Sequence, residues 1–276
     1  MFSINTKTTF RWFFAAAAGT ALPFFLLAPG RADKETRAKF TGINYAHRGL
    51  HTRDRSVPEN SLAAFRLAAQ AGYGIELDVR LTKDGQVVVF HDDTLERVCG
   101  VPGRVDDYTY LELSEFRLAG TQQRIPLFID VLANIGGVSA LIVELKQGKN
   151  REELCRKTYE ILKTYKGAVC VESFDPMYIA WFRKNAPEVF RGQLAMPAKD
   201  YGDAVSKPAA VLASSCLLNF LTRPHFIAYK IGRRPAAVRF SELLGAVKVG
   251  WTSHDIENEK KIDSVIFEFY SPKPKY

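Results

Sequence analysis

Two short apolar runs in this chain carry charge where charge is expensive. Residues 75–79 read Ile-Glu-Leu-Asp-Val, and residues 141–146 read Leu-Ile-Val-Glu-Leu-Lys. Both have the apolar, β-branched character of buried strands. Side chains alternate faces along a strand, so Glu76 and Asp78 share one face, and Glu144 and Lys146 share another. A buried carboxylate must be paired, hydrogen-bonded or bound to a metal. Three carboxylates converging from two strands therefore point to a hard cation with oxygen ligands, Mg²⁺ or Ca²⁺ rather than zinc. The competing reading is a set of structural salt bridges to Lys146 and nearby arginines.

Strand-like runs occur at 43–47, 75–79, 87–91, 140–146, 168–173, 191–195, 226–229, 247–252 and 264–269, and helical patterns separate most of them. After Asn60-Ser61, a plausible N-cap pair, Leu62, Phe65 and Ala69 recur with helical spacing, and 151–165 and 176–185 read similarly. Strand–helix alternation predicts a parallel α/β fold. The 276 residues suffice for an eight-stranded barrel, which typically needs about 250. Nine candidate strands compete for eight places. The link 80–86, with its Thr82-Lys83-Asp84-Gly85 turn, is too short for a helical crossover, so one candidate is expected to lie outside the barrel. His47 and His91 end two of the runs, and in a parallel barrel chemistry collects at the C-terminal strand ends.

With these residues assembled, the chain resembles the glycerophosphodiester phosphodiesterase family. The matching pieces are His47-Arg48-Gly49, Pro58-Glu59-Asn60, Glu76-x-Asp78, Thr82-Lys83-Asp84-Gly85, His91-Asp92 and Glu144-x-Lys146, with weaker matches at Glu172-Ser173-Phe174 and Trp251-Thr252. The resemblance runs from about Ile43 to the C-terminus. It implies a TIM-type (β/α)8 barrel, a divalent cation, and hydrolysis of glycerophosphodiesters to glycerol 3-phosphate and an alcohol. The segment 93–139 resembles the family's insertion after the third strand, with its 100–107 part expected over the active site. One departure is that Trp-Thr-Val-Asn of many relatives is Trp251-Thr252-Ser253-His254 here. The family's later Thr-Asp pair is read as replaced by Phe269-Tyr270.

The candidate roles follow. Glu76, Asp78 and Glu144 are the metal ligands, and Glu59 is either a fourth ligand or a carboxylate placed near a helix N-terminus. His47 and His91 titrate near neutrality and suit an acid–base pair. The resemblance favours His47 as base and His91 as acid. Arg48 and Lys146 are expected to bind the phosphate, while Asn60 either donates to it or caps the helix. Phe174 and Trp251 line the substrate pocket or pack as ordinary aromatics. His51 and His225 stand outside any motif and are read as non-catalytic. Lysophospholipase D activity in the same site, a cyclic-phosphate-releasing enzyme, and a non-catalytic phosphodiester-binding barrel are the alternatives.

Ahead of the barrel, residues 12–28 carry no charge and are rich in Phe, Ala and Leu. They read as a single membrane-spanning helix, with a cleaved signal peptide as the rival. Residues 1–39 are thus expected to be an anchor and basic linker, and 40–276 the catalytic barrel. Lys7 and Arg11 precede the apolar segment while Arg31, Lys34, Arg37 and Lys39 follow it, a bias that places the barrel in the cytoplasm. The net charge of +8 owes part of its excess to these residues. That placement fits anionic headgroups, and no nucleic-acid motif accompanies it. The four cysteines are scattered without metal spacing; Cys170 and Cys216 read as buried thiols.

Overall fold

The alternation of β2 (Gly74–Leu81) explains how its charges are accommodated. In the computed structural model, which describes residues 22–276 apart from Ala204, Ile75, Leu77 and Val79 point outward. There they meet Phe65, Ala68, Phe128 and Val131 of the surrounding helices. Glu76 and Asp78 take the opposite face, inside a closed barrel.

The barrel is formed by β1 (Asn44–Ala46), β2, β4 (Leu141–Leu145), β5 (Val169–Ser173), β6 (Phe190–Ala195), β7 (Phe226–Lys230), β8 (Val247–Ser253) and β9 (Ser264–Phe267). All neighbours are parallel, and β1 pairs with both β2 and β9, which closes the ring. Closure leaves no edge strand within the ring itself. The ninth candidate, β3 (Val87–Val89), is antiparallel to β2 and lies outside the ring. The five-residue hairpin loop 82–86 that the Thr82–Gly85 turn implies is what excludes it. Thr82 Oγ1 accepts from Gln86 N at 2.8 Å and so fixes that turn.

Inside the ring the lower layer is apolar: Tyr45, Ile142, Cys170, Phe190, Phe226 and Val247. Phe40 closes the floor by stacking on Phe190, ring centroids 4.6 Å apart. Gly192 is dictated by this packing, because a Cβ there would stand 2.1 Å from the Phe226 ring. A Gly192→Ala substitution is expected to lower stability by about 1–3 kcal/mol, since a buried ring cannot yield freely. Urea denaturation checks this; an unchanged midpoint would refute the packing argument.

The helix Leu62–Gln70 is capped by Ser61, whose hydroxyl accepts from Ala64 N. Asn60 is not the cap. The segment between β3 and the helix Phe128–Ile135 builds a small core of its own, with Phe90, Leu95, Val98, Val105, Leu113, Leu118 and Ile125.

Ahead of β1, residues 22–27 form a helix packed on the floor of the barrel. Residues 12–21 of the expected anchor lie outside the described residues. Among the described residues, no helix is long and apolar enough to cross a membrane. All four cysteines are free, and Cys155, Cys170 and Cys216 are buried.

Candidate active site

Strand register sets the site. Asp78 on β2 lies beside Glu144 on β4, and Glu144 lies beside Glu172 on β5. These carboxylates rise directly above the apolar layer. Glu76, Asp78 and Glu144 each offer one oxygen, and the three oxygens lie within 4.8 Å of one another. All three residues are buried, Asp78 completely. Asp78 Oδ1 is buried without a hydrogen-bond partner, the state of an oxygen meant for a cation. Burial and then the charges of Asp78, Glu144 and Glu172 push the Glu76 carboxyl well above its ordinary value. Burial also raises Glu144, with Lys146 opposing. Asp78 goes the other way: burial pushes it up, but His91, Lys146, Arg48 and Asn60 together hold it below the usual carboxylate range. This donor set, all oxygen and all buried, fits a divalent cation such as Mg²⁺ or Ca²⁺.

The remaining residues orient this group. Asn60 spends its amide on Asp78 Oδ2 at 2.8 Å, with a backbone φ of +53° that brings it over the strand. Lys146 Nζ lies 2.8 Å from Glu144 Oε1 and 3.4 Å from Asp78 Oδ1, so it balances both acids. Arg48 gives its backbone N–H to Glu76 at 2.9 Å and its guanidinium to Glu59 at 2.7 Å. Its Nε stands 3.7 Å from Asp78 and has no hydrogen-bond partner, which leaves a cationic donor for an incoming anion. Glu59 stands with Arg48 and Arg97 rather than with the three converging acids. Although burial alone would raise its carboxyl, the two arginines hold it at about 2.

Each strand-end histidine is held by its own carboxylate. His47 Nδ1 is 2.5 Å from Glu268 Oε1, and its Nε2 faces Glu76 at 3.8 Å. His91 Nδ1 is 2.6 Å from Asp92 Oδ1, and Arg97 from the segment after β3 grips Asp92 in turn. Arg80 donates through Nε and Nη2 to the His91 carbonyl, fixing the backbone. Burial lowers His47 below the usual imidazole value, with Glu268 pulling the other way.

Four residues here escaped the sequence reading. Glu268 immediately precedes the Phe269-Tyr270 pair that was read as replacing the family's Thr-Asp. Its carboxylate joins His47 and, at 3.2 Å, His51, so His51 borders the site. Arg80 and Arg97 carried no motif. Glu172, buried and with Oε2 unpartnered, belongs to the weak Glu172-Ser173-Phe174 match, which implies no role for it.

Phe174 and Trp251 meet edge to face at 5.5 Å. Phe174 lines a cavity of about 440 Å³ that begins at Glu144 and Lys146 and continues past Met196, Tyr201, Leu212 and Leu218.

Residues 47–265 match the sequence profile of the glycerophosphoryl diester phosphodiesterase family. The chain belongs to that family. A glycerophosphodiester phosphodiesterase of Caldanaerobacter subterraneus is 36% identical over 165 residues, covering 54% of this chain and 65% of the relative. A lysophospholipase D of Rattus norvegicus is 32% identical over 157 residues, covering 52% and 48%. The aligned part thus spans under two thirds of either relative's length. Among solved structures, a glycerophosphodiester phosphodiesterase of Thermotoga maritima superposes with a TM-score of 0.62 at 29% identity, covering 82% of this chain and 93% of that one. A phosphodiesterase of Oleispira antarctica, solved with the product sn-glycerol-3-phosphate, gives 0.69 at 24% identity, covering 84% and 94%, a likeness of fold.

Proposed function

We propose that this family member hydrolyses glycerophosphodiesters to glycerol 3-phosphate and an alcohol, with a divalent cation held by Glu76, Asp78 and Glu144. The observation that carries the reading is the convergence of those three buried acids within 4.8 Å, beside two histidines each anchored by a carboxylate. When bound, the cation would neutralise phosphoryl charge and lower the pKa of the attacking water. Arg48 and Lys146 add positive charge on the same phosphate. His47, whose neutral form burial favours, takes the proton of the attacking oxygen at Nε2. Glu268 holds the Nδ1–H and so fixes that tautomer. His91 donates a proton to the leaving alcohol oxygen as its bond to phosphorus breaks.

Glycerophosphocholine and glycerophosphoethanolamine are the expected substrates. Chelation should abolish glycerol 3-phosphate formation from them, and Mg²⁺ or Ca²⁺ should restore it; full turnover in a verified metal-free sample overturns the reading. A second reading, lysophospholipase D, is favoured by the apolar cavity that adjoins Glu144 and Lys146. Lysophosphatidylcholine assayed in parallel, with products identified, separates the two. We further propose that the N-terminal apolar segment holds the chain at the membrane with the barrel in the cytoplasm, a reading supported by the basic residues that follow that segment. Protease added to intact cells is expected to spare the barrel; its digestion there would reverse the topology.

A further inference from the structure

The chain reaches the barrel from below. Gly30 N–H donates to Pro224 O just before β7, Arg37 binds Gly245 O just before β8, and Phe40 stacks beneath Phe190 at the start of β6. The helix 22–27 packs against this floor. Phe24 meets Phe240 at 5.1 Å and Phe25 meets Phe220 at 5.9 Å, while Leu27 is buried and its carbonyl accepts from Ser241.

This helix nevertheless leaves much apolar surface uncovered. Leu22, Phe24 and Phe25 are 56%, 50% and 55% exposed, and nearby Leu243, at the end of the helix Ala236–Leu243, is 84% exposed. A contiguous apolar patch of this kind marks an interaction surface. Its rim is cationic: Arg223 lies over the Phe25 ring at 5.2 Å, Arg183 binds the Phe220 and Leu221 carbonyls, and Arg31 is exposed. Residues 12–21, which continue directly from Leu22, contain no charge. Apolar side chains ringed by arginine, fed by an uncharged segment, match an anionic lipid bilayer.

The acids, histidines and Phe174 all lie at the opposite, C-terminal strand ends. We propose that the floor of the barrel faces a lipid bilayer and that the catalytic mouth opens away from it, so the enzyme draws its phosphodiesters from water. The proposal rests on the membrane association proposed for the N-terminal apolar segment, whose described part, 22–27, lies on the barrel floor. From Leu141 to Glu144 β4 rises roughly 10 Å, and the floor beneath it adds further to the separation of Glu144 from the lipid surface. A lysophospholipid must therefore leave the bilayer before its phosphate can reach the acids, however well its chain fits the apolar cavity.

The test uses the full chain in phosphatidylcholine–phosphatidylglycerol vesicles containing doxyl-labelled lipid. In a Cys99→Ser background, where the other three thiols are buried, a fluorophore is attached through Leu243→Cys on the floor or Ser56→Cys at the mouth. Both sites are exposed, and the Ser56 side chain bonds only within its own loop, to Asp54 and Thr52, so neither change threatens the fold. Several-fold quenching of the floor probe with an unchanged mouth probe is expected. Quenching of the mouth probe, or of neither, overturns the orientation. Hydrolysis of glycerophosphocholine by the same samples is read separately: quenching without hydrolysis would sink the proposed activity and leave the orientation standing.

Discussion

His47→Ala lowers kcat by about 100-fold or more, while glycerophosphocholine still binds, because Arg48 and Lys146 remain. The reason is geometric. The His47 Nε2 faces the acid cluster, and burial favours the neutral, proton-accepting form of this ring. Glu268→Gln separates proton acceptance from positioning. Glu268 raises the His47 pKa against the lowering effect of burial. Its removal should therefore move the acidic limb of the kcat/KM profile to lower pH, with kcat reduced and KM little changed. The wild-type limb is itself expected below the ordinary histidine value, since the mechanism needs neutral His47 and fails as pH falls through its lowered pKa. A limb that stayed in place in Glu268→Gln would reduce Glu268 to a packing residue, and a His47→Ala enzyme with near-normal kcat would remove the base from the mechanism.

The parts of this site visible in sequence were those that violate local expectation. Carboxylates at alternate positions of an apolar strand conflict with burial, so Glu76, Asp78 and Glu144 announced a binding role before any register was known. The eight-stranded ring was legible from alternation, and the surplus strand from the shortness of the 80–86 link, although which of the nine lay outside required the antiparallel pairing of β3 with β2. Long-range partners left no such trace. Glu268 sits between Phe267 and Phe269 as one acid in a strand-end segment, and only closure of β1 against β9 brings it to His47. Arg97 arrives from a segment folded around its own apolar core. The two sequence-derived choices for Asn60, phosphate donor or helix cap, both missed its bond to Asp78, because Asn60-Ser61 directly ahead of Leu62 predicts capping rather than reach across to β2. Glu59 likewise met partners, Arg48 and Arg97, that sequence spacing does not connect.

Glu76→Gln is expected to lose at least about 100-fold in turnover while the protein stays folded, or gains stability, without metal. The cation is asked to supply several kcal/mol of charge stabilisation, and each 1.36 kcal/mol is tenfold in rate. Stability runs in the other direction. Glu76 is buried among Asp78, Glu144 and Glu172, and both burial and their charges raise its pKa well above 4.5. A raised carboxyl pKa means that ionised Glu76 opposes folding at neutral pH, and that this opposition is relieved as pH falls through the folded value. The neutral amide of Gln removes the opposition at neutral pH. Melting in chelator should therefore give a Tm for Glu76→Gln at or above wild type, and the difference should shrink as pH is lowered. Added Mg²⁺ or Ca²⁺ should raise the wild-type Tm by mass action, since the ion binds the folded site, and should move the variant far less. If the variant instead melted well below wild type in chelator, Glu76 would be a structural partner of Arg48 N–H. The three acids would then be a salt-bridge cluster organised by Lys146 rather than a metal centre.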